Sequence, residues 1–139
     1  MAVRVRLCIR ASDGAQLVTT AVLNGGFEVP DPHILLPHAA AERLLGDGLR
    51  KAVRQEMTGA GGPVELLALP DPVTAHAFAS DREGPRTRFH LLVSRLDEEA
   101  LVSDAGIDAL SIRIESFAPG RWRFADETRI RDSEPPQYW

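Results

Sequence analysis

Val3, Val5, Leu7 and Ile9 alternate with Arg4, Arg6, Cys8 and Arg10, and a period of two puts the first set on one face of an extended chain and the second on the other. This is a strand with one buried face. Ser12-Asp13-Gly14 then supplies turn chemistry ahead of the β-prone run 17–23, so the chain opens as a hairpin. Similar short runs recur at 34–36, 64–69, 73–79, 88–93, 101–102 and 112–116, and Trp122 and Phe124 open one more, with Pro, Gly or Asp at most of the breaks. A mainly β fold follows.

Helical pattern is confined to short stretches. Pro37 suits a first helical turn, residues 39–45 are strong helix formers and Gly46 fits the stop. Leu49, Val53 and Met57 extend the pattern to a second helix that ends in the Gly-rich stretch 58–63. Ser103 is a candidate N-cap, with Asp104 in the first turn of a helix through Ile107 and Leu110. The triplet Ile34-Leu35-Leu36 with its helix lines up with Ala100-Leu101-Val102 and the helix that follows, which suggests a duplicated β-rich unit.

With 139 residues the chain predicts a single domain, 1–139, carrying a C-terminal tail from about residue 118 to 139. Cys8 is the sole cysteine, which excludes an intrachain disulfide and a cysteine-built zinc site. A net charge of −4 argues against nucleic acid as a partner. Arg121, Arg123, Arg129 and Arg131 flank Trp122 and Phe124, but Asp126, Glu127, Asp132 and Glu134 are interleaved and cancel the field. No apolar run is long enough for a signal or a membrane helix, so the expectation is a cytoplasmic protein without a membrane partner.

Candidate chemistry is sparse. His33, His38, His76 and His90 show neither an i, i+4 pair nor HExxH spacing, and no metal is expected. Asp31 and Asp71 lie in Pro-Asp-Pro turns, and Asp104 suits a helix N-terminus. Gly59-Ala60-Gly61-Gly62-Pro63 lacks the Lys-Ser/Thr of a phosphate loop and reads as a connection, so no cofactor is expected. Asn24-Gly25 reads either as a hairpin turn or as a remnant of an active-site motif. Tyr138 and Trp139 present aromatic surface that should dock on the chain's own core or on a partner subunit.

Val22-Leu23-Asn24-Gly25-Gly26-Phe27, the triplet and Pro at 35–37 leading into Glu42-Arg43-Leu44, and Ala100-Leu101-Val102-Ser103-Asp104 together resemble the retropepsin-like family of single-lobed aspartic proteases, in its prokaryotic uncharacterised branch. The resemblance covers residues 1 to 117 and implies a closed, acid-protease-type β-barrel with two or three short helices, acting as a homodimer. It also implies where the chemistry should sit. Asn24 stands at the position of the family's Asp, Gly25 at that of its Thr and Ser103 at that of a second-half Gly. A carboxamide cannot take a proton from water, so the shared-proton carboxylate pair is not available at Asn24, Gly25 and Gly26. The expectation is therefore a catalytically degenerate, homodimeric peptide- or protein-binding or assembly module, with Asn24 and Phe27 lining its cleft. The alternative is an active aspartic endopeptidase using another carboxylate.

Overall fold

A computed structural model describes residues 2–59 and 61–139. Strands β1 (Arg4–Arg10) and β2 (Gln16–Leu23) form the opening hairpin, with Arg4 opposite Val22 and Arg10 opposite Gln16. Strand β3 (His33–Pro37) runs directly into helix α1 (His38–Leu45) and a 3-10 segment, Gly46–Lys51. Strands β4 (Val53–Gly59) and β5 (Gly62–Ala68) make a second hairpin, and β6 (Val73–Phe78) and β7 (Thr87–Ser94) a third. Strand β8 (Ala100–Val102) leads into helix α2 (Asp104–Ala109). The fold is mainly β, as the alternation and turn spacing predict.

Residues 53–59 correct the expectation of a second helix through Leu49, Val53 and Met57. They form β4, paired with β5 from Val53 opposite Ala68 to Gly59 opposite Gly62. The helical spacing had no buried face to serve, since Val53 is 62% exposed. Gly62 has φ +114°, a conformation that suits glycine, and the turn it permits sends the chain back along itself. The Gly-rich connection is therefore a hairpin tip, of which Ala60 lies outside the described residues.

Six strands close a barrel in the order β3-β8-β2-β1-β6-β7, with β7 returning to pair with β3. The ring has an internal two-fold pattern. The β1–β2 hairpin corresponds to β6–β7, and β3 to β8. The parallel pair β2–β8 corresponds to the parallel pair β7–β3. Leu35 faces Leu101 in the antiparallel β3–β8 pair and Ile9 faces Ala75 in the antiparallel β1–β6 pair, and in each case the partners lie 66 positions apart in sequence. Helices α1 and α2 begin at His38 and Asp104, again 66 positions apart. Register, rather than residue identity, carries the duplication that the two apolar triplets suggest.

The alternating set of β1 points inward. Val3, Val5, Leu7 and Ile9 are fully buried and meet Ile34, Leu36, Phe89, Leu91 and Val102 from the other strands. Beyond α2, strands β9 (Ile112–Ser116), β10 (Arg121–Phe124) and β11 (Arg131–Asp132) form a small separate sheet whose Ile112, Trp122 and Phe124 extend the same core. The segment 118–139 thus carries structure of its own.

Its last residues dock on the barrel. The Trp139 N–H donates to the Glu98 carbonyl at 2.9 Å and its indole Nε1–H to Thr19 Oγ1 at 3.0 Å, while Gln137 Oε1 accepts from the Thr20 N–H at 2.9 Å. Trp139 packs against the core, whereas Tyr138 remains 63% exposed. Removing Gln137 to Trp139 should cost about 2 kcal/mol from part of an indole and three hydrogen bonds, lowering the melting temperature by roughly 5–10 °C. Scanning calorimetry of the truncated protein checks this, and an unchanged melting temperature would show that the docked end contributes nothing.

Candidate functional site

The loop that follows β2 is tied to the segment that follows β8. The Asn24 N–H donates to the Val102 carbonyl at 3.0 Å, the Asp104 N–H donates to the Phe27 carbonyl at 3.0 Å and the Phe27 N–H to the Asn24 carbonyl at 3.0 Å. Asn24 Oδ1 accepts from the Gly26 N–H at 3.0 Å, so the side-chain amide folds onto its own loop. Asn24-Gly25 does form a turn, closed by the Phe27 N–H to Asn24 carbonyl bond, but not a hairpin turn. β2 is flanked by β1 and β8 and never hairpins onto β3, and Gly25 lacks the positive φ of the tight hairpin turn that Asn-Gly favours.

Ser103 holds the two halves of this site together. It is fully buried, and its Oγ accepts from the Gly106 N–H at 3.1 Å as the N-cap of α2 and from the His33 N–H at 2.9 Å on β3. Its own N–H donates to the His33 carbonyl at 3.0 Å. The cap was readable from sequence, but the link to β3 was not. Close packing supports the same junction. A Cβ on Gly106 would stand 2.7 Å from Phe89 Cε2 and 2.8 Å from Val102 Cγ1, so only glycine lets α2 sit this near the barrel.

On the outer face of the β3–β8 wall lies a second, smaller apolar cluster. Leu35, Leu66 and Leu92 are its buried members, and Phe27, Met57, Val64 and Leu101 pack against them partly exposed. Met57, Val64 and Leu66 come from the β4–β5 hairpin, which extends the sheet through two pairs with β7, Leu67 with Val93 and Ala68 with Leu92. The hairpin is thus an arm whose apolar side meets the loop residue Phe27 through this cluster. β4 is the outermost strand of the sheet and leaves one edge unpaired among the described residues.

The alternative carboxylates are accounted for one by one. Asp104 Oδ1 accepts from the Ala105 N–H at 2.7 Å and the Val29 N–H at 3.3 Å, a helix-start role. Asp31 sits in the turn before β3, where its carbonyl is 2.7 Å from His33 Nδ1, and Asp71 lies in the turn before β6. The histidines do not converge as a set. His33 and His90 are register partners with ring centroids 5.0 Å apart, His38 Nδ1 lies 3.0 Å from Glu42 on α1, and His76 faces another wall of the barrel. No group of three His, Cys, Asp or Glu side chains placed to hold a metal occurs among the described residues.

The arginine-rich segment of the second half is occupied internally. Arg131 pairs with Asp81 and Glu127, Arg82 with Asp126, and Arg129 with Asp81. Two of the interleaved acids, Asp126 and Glu127, take part in these pairs, and Asp81, distant in sequence, supplies the others. No helix among the described residues is long and apolar enough to cross a membrane. No protein-family model and no curated protein matches this chain.

Proposed function

We propose that this chain is a retropepsin-like single lobe that has kept a peptide-binding face and lost the acid–base pair. The observation that carries the reading is the convergence of the Asn24 loop, Phe27 and the β4–β5 arm on one partly exposed apolar cluster. An extended peptide gains main-chain hydrogen bonds from an open strand edge and selectivity from apolar positions beside it, and this face supplies both. Asn24 offers an amide where hydrolysis needs a carboxylate, and its oxygen is already engaged with Gly26. Binding without turnover follows from that chemistry.

The same reading makes the working unit a homodimer, in which the exposed Gly25 and Gly26 of two copies meet near a two-fold axis and each arm covers part of a shared cleft. Light scattering at micromolar concentration should return twice the chain mass. A monomer there would leave each lobe to bind alone and contradict the dimer.

The direct test uses a fluorescent extended peptide with alternating apolar residues. It should bind with a Kd of about 10–100 μM, an affinity common for modest strand-addition surfaces. Met57→Lys with Val64→Lys should weaken it at least tenfold, since each puts a charge on the apolar side of the arm. No cleavage should be seen from acid to neutral pH, and Asn24→Asp should give weak hydrolysis at most because Gly25 supplies no bracing hydroxyl. Steady pepstatin-sensitive turnover by the wild-type protein would support the alternative, an active endopeptidase.

A further inference from the structure

The barrel wall opposite β3 and β8 is the β1–β6 pair, and its outer side is concave. Val18, Cys8 and His76 form one cross-strand row there, with Cys8 directly opposite both neighbours. Side chains opposite each other on an antiparallel pair have Cβ atoms about 5 Å apart, so the thiol and the imidazole share one face at close range. The segment after β6 folds back over this row. The Gly84 N–H donates to the Ala77 carbonyl at 2.8 Å, and Glu83 bridges to Phe78. The result is a cavity of about 310 Å³ lined by Cys8, His76, Glu83, Arg10 and Arg86 among others.

Two independent features mark this cavity as built for a ligand. His76 is only 7% exposed, its side chain makes no hydrogen bond among the described residues, and its ring Nε2 lies 3.6 Å from Glu83 Oε1. The imidazole lines the open space of the cavity, within reach of an incoming group. The second feature is charge. Arg10 and Arg86 line the cavity, Arg88 lies opposite Thr74 beside it, and the Arg6 guanidinium stands 4.8 Å above the Phe78 ring. None of the four has a carboxylate partner among the described residues, whereas Arg4, Arg82 and Arg131 nearby in the fold all do.

We propose that this cavity is a thiol-exchange site at which Cys8 forms a mixed disulfide with a small, carboxylate-bearing disulfide of the glutathione type. His76 takes the thiol proton, Cys8 Sγ bonds to one sulfur of the incoming disulfide and the original S–S bond breaks. The departing sulfur leaves as a thiolate and takes up the proton from His76, so the disulfide supplied is the sole oxidant. The arginines bind the carboxylates and orient the attack. The site lies on the wall opposite the arm and stands or falls separately from peptide binding.

The test compares oxidised glutathione with cystamine, an uncharged-backbone disulfide bearing amines, by intact mass against time on the full chain. Modification by oxidised glutathione should be at least about tenfold faster, and the preference should shrink as salt is added. Cys8→Ser should abolish it, Arg10→Ala with Arg86→Ala should erase the preference, and His76→Gln should slow both reagents by roughly tenfold or more. The arginines are exposed, so their double variant keeps the test valid even where His76→Gln fails to fold. Equal or faster reaction with cystamine, or a Cys8 that reacts with oxidised glutathione only after denaturation, would overturn the proposal.

Discussion

Arg131→Ala is expected to destabilise the protein by about 3 kcal/mol, because it removes the centre of a doubly bidentate ion-pair network and leaves carboxylates without their partner. The Arg131 side chain is 7% exposed, and its guanidinium donates to Asp81 at 2.6 and 3.0 Å and to Glu127 at 2.7 and 3.1 Å. It also stands 5.5 Å from the Phe124 ring and 5.8 Å from that of Trp122, so the charge is packed as well as paired. Arg82 and Arg129 remain beside the two acids and keep the loss below that of a fully isolated charge.

The network also sets a dependence on pH. The hydrogen bond from Arg131 is the main cause that holds Asp81 at about 2 and Glu127 below the usual range, and the bond from Arg82 lowers Asp126. Each acid has a folded value below its unfolded one. Its contribution is therefore complete above the unfolded carboxylate range of about 4 and is lost as the pH falls through the folded values. For Asp81 that loss runs down to about pH 2. Urea midpoints measured across this window should fall steeply for the wild-type protein and less steeply for Arg131→Ala. Parallel slopes would show that the network does not couple to folding.

Ser103→Ala is the second large effect, at about 2–4 kcal/mol, since it strips the cap from α2 and orphans two N–H groups at a fully buried position. The volume change is small, so packing alone would predict far less. Ser103→Thr should be no rescue where the extra methyl meets closely packed neighbours, and Ser103→Gly should be as costly as Ala because it too lacks the oxygen. Chemical denaturation checks all three. The amides of Gly106 and His33 should lose hydrogen-exchange protection together in Ser103→Ala, and loss at Gly106 alone would mean that the hydroxyl acts only as a cap.

What could be read from residues alone was whatever is local. Alternation from Val3 to Ile9 places the inward face of β1, the run 39–45 forms α1, and Ser103 marks the start of α2. The position of Asn24 at the end of β2 was also legible, because a strand pattern stops there. Residues 53–57 misled because helical spacing is meaningful only if one face becomes buried, and the partner that claims them, β5, is fixed by a turn at Gly62. The Ser103 to His33 and Arg131 to Asp81 bonds join residues 70 and 50 positions apart, and no periodicity encodes them. Likewise the row of Val18, Cys8 and His76 exists only once β1 has two neighbours in register.

The peptide-binding account is tested most directly by amide chemical-shift mapping during titration with an unstructured apolar peptide, followed by mass analysis of that peptide. The account predicts shifts concentrated in the Asn24 to Phe27 loop, along β4 and β5 and at Leu101, with the peptide recovered intact. Shifts confined to other surfaces, no shifts at millimolar peptide, or recovery of cleaved fragments would contradict it.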